Sequence, residues 1–265
     1  MSILGLSVPK PVERSAIDPA WLDWIPSGRS VAGFALAVPP GAETWDAAFG
    51  LADRVERVDP ERANVAPIRL RLDLLARSVG VRTEVDLLPH LKGITGWAGS
   101  DGRTIDSGLV VLHFVDEAAA GRFADRIGPA PTPGATGSRK IGQLDGRPVQ
   151  MVRLGRSVAI AWGKTSMASS MAALDDPKSS GGPALRAYWA KGVPAFAGGL
   201  WPARVPGLVP GASPLAEALS QASPVTISGT WVDRDHFHIM GLWDELDASV
   251  GRFLELIPMD RPPDR

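Results

Sequence analysis

The stretch KIGQLDGRPVQMVRLGRSVAIAW, residues 140–162, decides the fold of this chain. Apolar and polar side chains alternate through it, and the pairs Asp145-Gly146 and Gly155-Arg156 divide it into three runs. Alternation with a period of two is typical of strands, and Asp-Gly is a strong signal for a tight hairpin turn. The stretch therefore predicts a three-stranded antiparallel meander.

Strands and helices alternate in the segments around this meander. Apolar runs predict buried strands at Val31–Val38 and Leu109–Val115, and the second is expected to be central because both of its faces are apolar. Helical spacing predicts helices at 43–55, 67–79, 84–91, 116–127, 165–174, 184–189 and 245–257. Thr83 and Thr165 are expected to cap the helices at 84–91 and 165–174. We predict an α+β fold, a largely antiparallel (mixed) sheet with helices packed on it, built from degenerate strand–helix repeats.

The last two strands, VTISGTWV and FHIMGLW, flank the turn residues DRDH. Pairing Val225 with Trp243 and Trp231 with Phe237 places the apolar side chains on one face of the hairpin and the hydroxyls on the other. No linker divides the chain, so we assign residues 1–25 to an N-terminal extension, 26–258 to a single α+β domain and 259–265 to a tail.

Composition excludes several classes of function. The chain has 265 residues, 45% of them hydrophobic, and 28 Lys and Arg against 29 Asp and Glu. A net charge of −1 gives no field that would attract nucleic acid, so we predict no nucleic-acid partner. The absence of cysteine excludes disulfides, thiolate metal sites and cysteine nucleophiles. No apolar run approaches the ~20 residues of a membrane helix, so we predict no membrane span in this chain.

The final hairpin contains the one group of residues that resembles a metal site. His236 and His238 alternate on a strand next to Asp233 and Asp235, and imidazole and carboxylate groups are the ligands that zinc accepts. The same residues are also good turn chemistry, because Asp and its neighbours form local hydrogen bonds in turns. The sequence places no further ligand, so the metal site stays one of two alternatives.

Other motifs favour structural roles. Gly163-Lys164-Thr165 follows a strand as a phosphate-binding loop would, but Val158 stands where the first glycine of that motif belongs. We therefore expect Gly163 to turn the chain and Thr165 to cap a helix. His113, on the central strand, is expected to be buried and hydrogen-bonded, and His90 to interact with a helix end. No catalytic residues and no cofactor are predicted.

The chain has nine tryptophans and one tyrosine. Four of the tryptophans lie in the last third of the chain, where they either fill the core or line an apolar ligand groove: Trp189, Trp201, Trp231 and Trp243. Core filling is the more common role of a large aromatic side chain.

The order of the segments DLLPHLKG, GLVVLHFVDEAAAGRFADRI, SVAIAWGKTSMASSMAALDD, PAFAGGLW and LAEAL, followed by a hairpin, resembles a bacterial family of unknown function. Its members are envelope-associated α+β proteins. The resemblance covers the chain from about Asp86 onward and implies a fold and an extracytoplasmic location, but no activity.

Three hypotheses follow. The first is a non-catalytic binding or scaffolding domain of the bacterial envelope, with an unknown protein or a small apolar ligand as its partner. The second is a metal-dependent hydrolase that uses the His236 and His238 group to activate water. The third is a carrier of a small apolar ligand in the tryptophan-lined groove.

Overall fold

The computed structural model describes residues 16–38, 80–101, 104–128, 139–144, 146–163, 165–186, 194–205, 224–231 and 237–243. The helices predicted at 43–55, 67–79 and 245–257 lie outside these residues. Within the described segments, no helix has the length and apolar character that crossing a bilayer requires.

One sheet organises the described part of the chain. It contains β1 (Ser30–Ala37), β2 (Leu91–Ser100), β3 (Ile105–Phe114), β4 (Arg139–Leu144), β5 (Arg147–Leu154), β6 (Ser157–Trp162), β7 (Phe196–Leu200), β8 (Val225–Trp231) and β9 (Phe237–Trp243). Their spatial order is β4-β5-β6-β3-β2-β1-β7-β8-β9. Every pairing between neighbours in this order is antiparallel. The α+β fold with an antiparallel sheet, predicted from the sequence, is confirmed.

The meander and the last hairpin form as their sequences predict. Gly146 and Gly155 have φ angles of 74° and 54° and turn the chain between β4, β5 and β6. In the last hairpin Val225 pairs with Trp243 and Trp231 with Phe237, so the predicted register is confirmed. Turn chemistry and the alternation of apolar residues were sufficient to predict both features.

Helices cover both faces of the sheet. The front face carries Leu109 and Ala159, which share one core with residues of α2 (Ser166–Asp175), α3 (Gly182–Arg186) and a 3₁₀ helix at Pro19–Trp24. The back face carries Leu112 and Val158, which pack against α1 (Glu117–Ile127). Strand β3 contributes to both cores, as expected for a central strand with two apolar faces.

Helix α1 begins as predicted, because the Asp116 carboxylate accepts a hydrogen bond of 2.7 Å from the Ala119 backbone N–H. It follows β3, and α2 follows β6 in the same way. The predicted succession of strand and helix is therefore present at these two positions.

The predicted helix at 84–91 is replaced by two short turns. A single π-helical turn, Thr83–Leu87, leads into a 3₁₀ turn, Leu88–His90, and Leu91 already belongs to β2. Pro89 has no N–H to donate, so an α-helix cannot continue through it. Thr83 does not cap this segment, and its buried hydroxyl oxygen has no hydrogen-bond partner among the described residues.

The segment assigned to an N-terminal extension contributes to the front core. Ile17, Leu22 and Ile25 are at most 2% exposed, and the Ile17 N–H donates to the Pro194 carbonyl. The 3₁₀ helix at Pro19–Trp24 begins at Asp18, whose carboxylate accepts from the Ala20 N–H. The folded domain therefore starts before residue 26. The Asp-Pro pair that begins this helix is a start signal that our sequence analysis missed.

Candidate functional site

A cleft of about 350 Å³ opens on the front face where β2, β3, the β5–β6 turn, the Pro19–Trp24 helix and the end of α2 meet. Its apolar wall consists of Ala20, Trp21, Trp24, Leu154 and Leu174, with Phe114 at its edge. Leu154 is 39% exposed, which leaves an apolar surface at the opening. The volume lies at the lower end of the range of small-molecule pockets.

His113 forms the polar part of the cleft and is held by both ring nitrogens. Nε2 lies 2.9 Å from Thr95 Oγ1, and Nδ1 lies 2.9 Å from Ser157 Oγ. The β3–β6 register places Ser157 directly opposite His113, and Thr95 lies diagonally across from it on β2. The prediction of a buried, hydrogen-bonded histidine is confirmed, with two hydrogen bonds rather than one.

Burial keeps this imidazole neutral. His113 is 2% exposed, and removal from water lowers its pKa from 6.5 to about 3. The neutral ring has one N–H donor and one acceptor nitrogen, and a hydroxyl can satisfy either. Both nitrogens are therefore hydrogen-bonded at neutral pH, and the low pKa makes the ring a weak base.

Trp21 covers His113 and closes the floor of the cleft. The two rings are stacked, with centroids 4.3 Å apart and planes inclined by 3°. The indole also lies over Gly93, where any Cβ would overlap its six-membered ring. Because glycine has no side chain, β2 allows the indole to lie flat against the backbone. The Trp21 indole therefore packs directly on the Gly93 backbone.

Replacing Gly93 with alanine tests the packing of Trp21 on the Gly93 backbone. A Cβ at this position would overlap Trp21 and come within 2.9 Å of the Leu36 carbonyl oxygen, so both ring and strand must shift. We expect the free energy of unfolding, measured in urea, to fall by about 3 kcal/mol. Gly142→Ala on β4 is the matched control, since a Cβ there meets nothing within 4 Å. Equal losses in the two variants would contradict the account.

The opening of the cleft is positively charged. Lys92 and Arg156 are exposed and line it, as does the carboxylate of Asp18. The Asp18 carboxylate already accepts a hydrogen bond of 3.0 Å from the Ala20 N–H. With His113 neutral, two cations face one carboxylate.

The residues of the predicted metal site are not brought together by any described contact. His236, Asp233 and Asp235 lie outside the described residues, and His238 is described only as a backbone position on β9, opposite Thr230. In the part of the chain that the structure describes, no three His, Asp or Glu side chains are close enough to hold a metal ion. The metal site stays a prediction, which elemental analysis of protein grown without added metal tests.

The predicted tryptophan groove also stays a prediction. Trp201 is 7% exposed, belongs to the front core and lies 5.4 Å from the Arg204 guanidinium. Trp231 and Trp243 lie at opposite ends of the β8–β9 hairpin, about 20 Å apart along the strand. Trp189 lies outside the described residues. The tryptophans that line the described cleft are Trp21 and Trp24, which come from the other end of the chain.

The turn that imitates a phosphate-binding loop is a packing element. Gly163 has a φ of 92°, as expected for the residue that turns the chain. Thr165 makes no capping hydrogen bond and accepts one from Arg29, so its predicted capping role is wrong. The Ser166 hydroxyl accepts from the Gly108 N–H at 3.1 Å and donates to the Trp162 carbonyl. These groups hold α2 against the sheet.

Comparison with known proteins assigns this chain to no family. No protein-family model matches the chain, and no curated protein matches it. Two solved structures, titled "Structure of crystal form III of TP0453" and "Structure of crystal form IV of TP0453", have TM-scores of 0.33 and 0.34 with 9% and 10% identity. The first alignment covers 85% of this chain and 79% of the other, and the second 84% and 82%. Likenesses of this degree carry no information about function.

Proposed function

We propose that this protein is a non-catalytic binding domain of the bacterial envelope, and that the cleft beside His113 holds a small, largely apolar ligand. The observation that carries the proposal is the wall of this cleft, in which two tryptophans and a half-exposed leucine surround a few fixed polar groups. Small-molecule pockets have this composition. The envelope location rests on the family resemblance of the sequence.

The state of the polar groups favours binding over catalysis. General acid–base catalysis needs a group whose pKa lies near the working pH and whose reactive atom can reach the substrate. His113 has a pKa of about 3, and both of its nitrogens have hydroxyl partners. With so low a pKa the ring is a poor acceptor for the Ser157 proton, and the Asp18 carboxylate already accepts from the Ala20 N–H. These groups are suited to fixing the shape of a pocket.

The proposal combines two of the sequence-based hypotheses and moves the ligand to another part of the molecule. The carrier hypothesis placed an apolar ligand among Trp189, Trp201, Trp231 and Trp243. The described cleft is instead lined by Trp21 and Trp24 and has a volume of about 350 Å³. An apolar ligand there would remove the Leu154 side chain from water, which favours binding.

Blocking the cleft with an aromatic side chain tests the proposal. Ala20 lines the cleft and is exposed, so Ala20→Phe adds bulk at the opening without disturbing the core. We expect the variant to weaken binding of N-phenylnaphthylamine, a neutral probe that fluoresces in apolar surroundings, by about tenfold or more, or about 1.4 kcal/mol. Fluorescence titration gives both affinity and stoichiometry, expected to be one probe per chain.

Ala118→Phe is the matched control for this experiment. Ala118 is an exposed alanine on α1, which packs on the back face of the sheet. The control adds the same apolar ring to the surface and should leave probe affinity unchanged. A probe that does not bind, or that binds both variants as it binds the parent, would refute the proposed function.

A further inference from the structure

We propose that the ligand carries an anionic group, which Lys92 and Arg156 bind at the opening of the cleft while its apolar part lies against Trp21 and Leu154. The inference rests on the proposed function and adds the chemical class of the ligand: a small amphipathic anion such as a carboxylate with an apolar chain or ring. Two cations, one on β2 and one in the β5–β6 turn, beside one apolar wall define this class.

A β-bulge places Lys92 beside the cleft. On β2, Leu91 pairs with Phe114 and Gly93 pairs with His113, so Lys92 is an extra residue in the ladder. A bulge of this kind turns its side chain out of the normal alternation, and bulges occur next to functional sites for this reason. The bulge backbone is fixed by the Val38 N–H, which donates to the Lys92 carbonyl at 2.8 Å.

A tight turn places Arg156 on the other side of the opening. Gly155, with a φ of 54°, reverses the chain between β5 and β6, and Arg156 follows it. The Arg156 carbonyl accepts a hydrogen bond of 2.8 Å from the Phe114 N–H, which holds the turn against the end of β3. The exposed guanidinium extends from a fixed backbone, and its planar donors suit the two oxygens of a carboxylate.

Among the residues that line the cleft, the cations outnumber the carboxylates by two to one. Neither Lys92 nor Arg156 forms an ion pair with another described residue, although other arginines in these segments pair with Asp86 and Asp23. The acidic group of the lining, Asp18, caps the Pro19–Trp24 helix. Outside the lining, the Glu117 carboxylate lies 3.7 Å from where a Cβ of Gly155 would be, next to Arg156. Within the lining one positive charge is in excess, which favours an anion at the opening.

Two probes that differ by one charge separate this inference from the proposed function. Anilinonaphthalene sulfonate has the ring system of N-phenylnaphthylamine with an added sulfonate. In the variant with both Lys92→Met and Arg156→Met, we expect sulfonate-probe affinity to fall about fivefold to tenfold, and neutral-probe affinity to stay within about twofold. Higher ionic strength should weaken only the sulfonate probe, because salt screens exposed charges.

A matched variant controls for the loss of two positive charges. Lys140→Met with Arg122→Met removes exposed cations of the same types from β4 and α1, away from the lining of the cleft. We expect it to bind both probes like the parent. Octanoate and octanol provide a second matched pair, and octanoate should displace the sulfonate probe at lower concentration than octanol.

The outcomes are distinct for the two proposals. The first outcome is that the neutral probe binds in the cleft, but the Lys92/Arg156 variant binds the sulfonate probe as tightly as the Lys140/Arg122 control does. In that case the anionic class of the ligand is wrong and the proposed function stands. Equal displacement by octanoate and octanol would overturn the inference in the same way. If neither probe binds, or Ala20→Phe leaves both affinities unchanged, the proposed function fails and the inference fails with it.

Discussion

Trp21→Ala is expected to lower the free energy of unfolding by about 3–5 kcal/mol and to abolish binding of the neutral probe. The indole is 7% exposed, stacks on His113 and covers Gly93, so its removal leaves a cavity between the Pro19–Trp24 helix and β2. The same indole is part of the cleft wall. This single substitution should therefore reduce the stability of the fold and prevent binding of the probe.

Trp97→Ala distinguishes the two effects. Trp97 is 3% exposed and belongs to the same front core, and its Nε1–H donates to Ser170 Oγ at 2.8 Å, but it does not line the cleft. We expect a similar loss of stability with probe affinity retained, both measured at a temperature where the variants are folded. Equal retention of probe binding in the two variants would show that the cleft does not bind the probe.

Acidification is expected to destabilise the protein through His113. The folded pKa of about 3 lies below the unfolded value of 6.5, so between these values the unfolded chain binds a proton that the folded chain does not. The stabilising contribution of the neutral ring is complete above pH 6.5 and declines as pH falls toward 3. By pH 5 the free energy of unfolding should be about 2 kcal/mol lower from this group alone.

His113→Gln isolates this contribution from the other titrating groups. Glutamine can hydrogen-bond to Thr95 and Ser157 but does not ionise in this range, while Asp18, Lys92 and Arg156 stay in the lining. The variant should be less stable at pH 7, and its stability should change about 2 kcal/mol less between pH 7 and pH 5 than that of the parent. Parallel stability curves from urea denaturation would contradict a buried neutral imidazole.

The sheet could be predicted because its information is local. Asp145-Gly146 and Gly155-Arg156 define the meander turns, and a slip of one residue in the β8–β9 hairpin would bring its apolar side chains to the wrong face. The two apolar faces of β3 indicated its central position. The turns at 83–90 differ from the predicted helix because Thr83 makes no capping hydrogen bond and Pro89 cannot donate the N–H that a continuing helix needs.

The cleft could not be predicted because its walls come from distant parts of the chain. Trp21 meets His113 and Gly93 only because β2 and β3 form a hairpin under the Pro19–Trp24 helix. One signal was present in the sequence: a glycine inside a strand often marks the close approach of another group. Gly93 and Gly108 both fit this rule, since the rings of Trp21 and Trp162 lie where a Cβ would be.

The tryptophans of the described segments lie largely in the core. Trp24, Trp97 and Trp201 are buried in the front core, as the more common role of tryptophan predicts. Trp21 fills the core with one face of its ring and borders the cleft as well. The choice between core and groove is therefore not exclusive for this residue.

The most direct test of the cleft as the ligand site is a crystal structure of the full chain with anilinonaphthalene sulfonate. We predict the aromatic rings against Trp21 and Leu154 and the sulfonate within hydrogen-bond distance of Lys92 or Arg156. Density for the probe at another surface, with an empty cleft beside His113, would contradict the account.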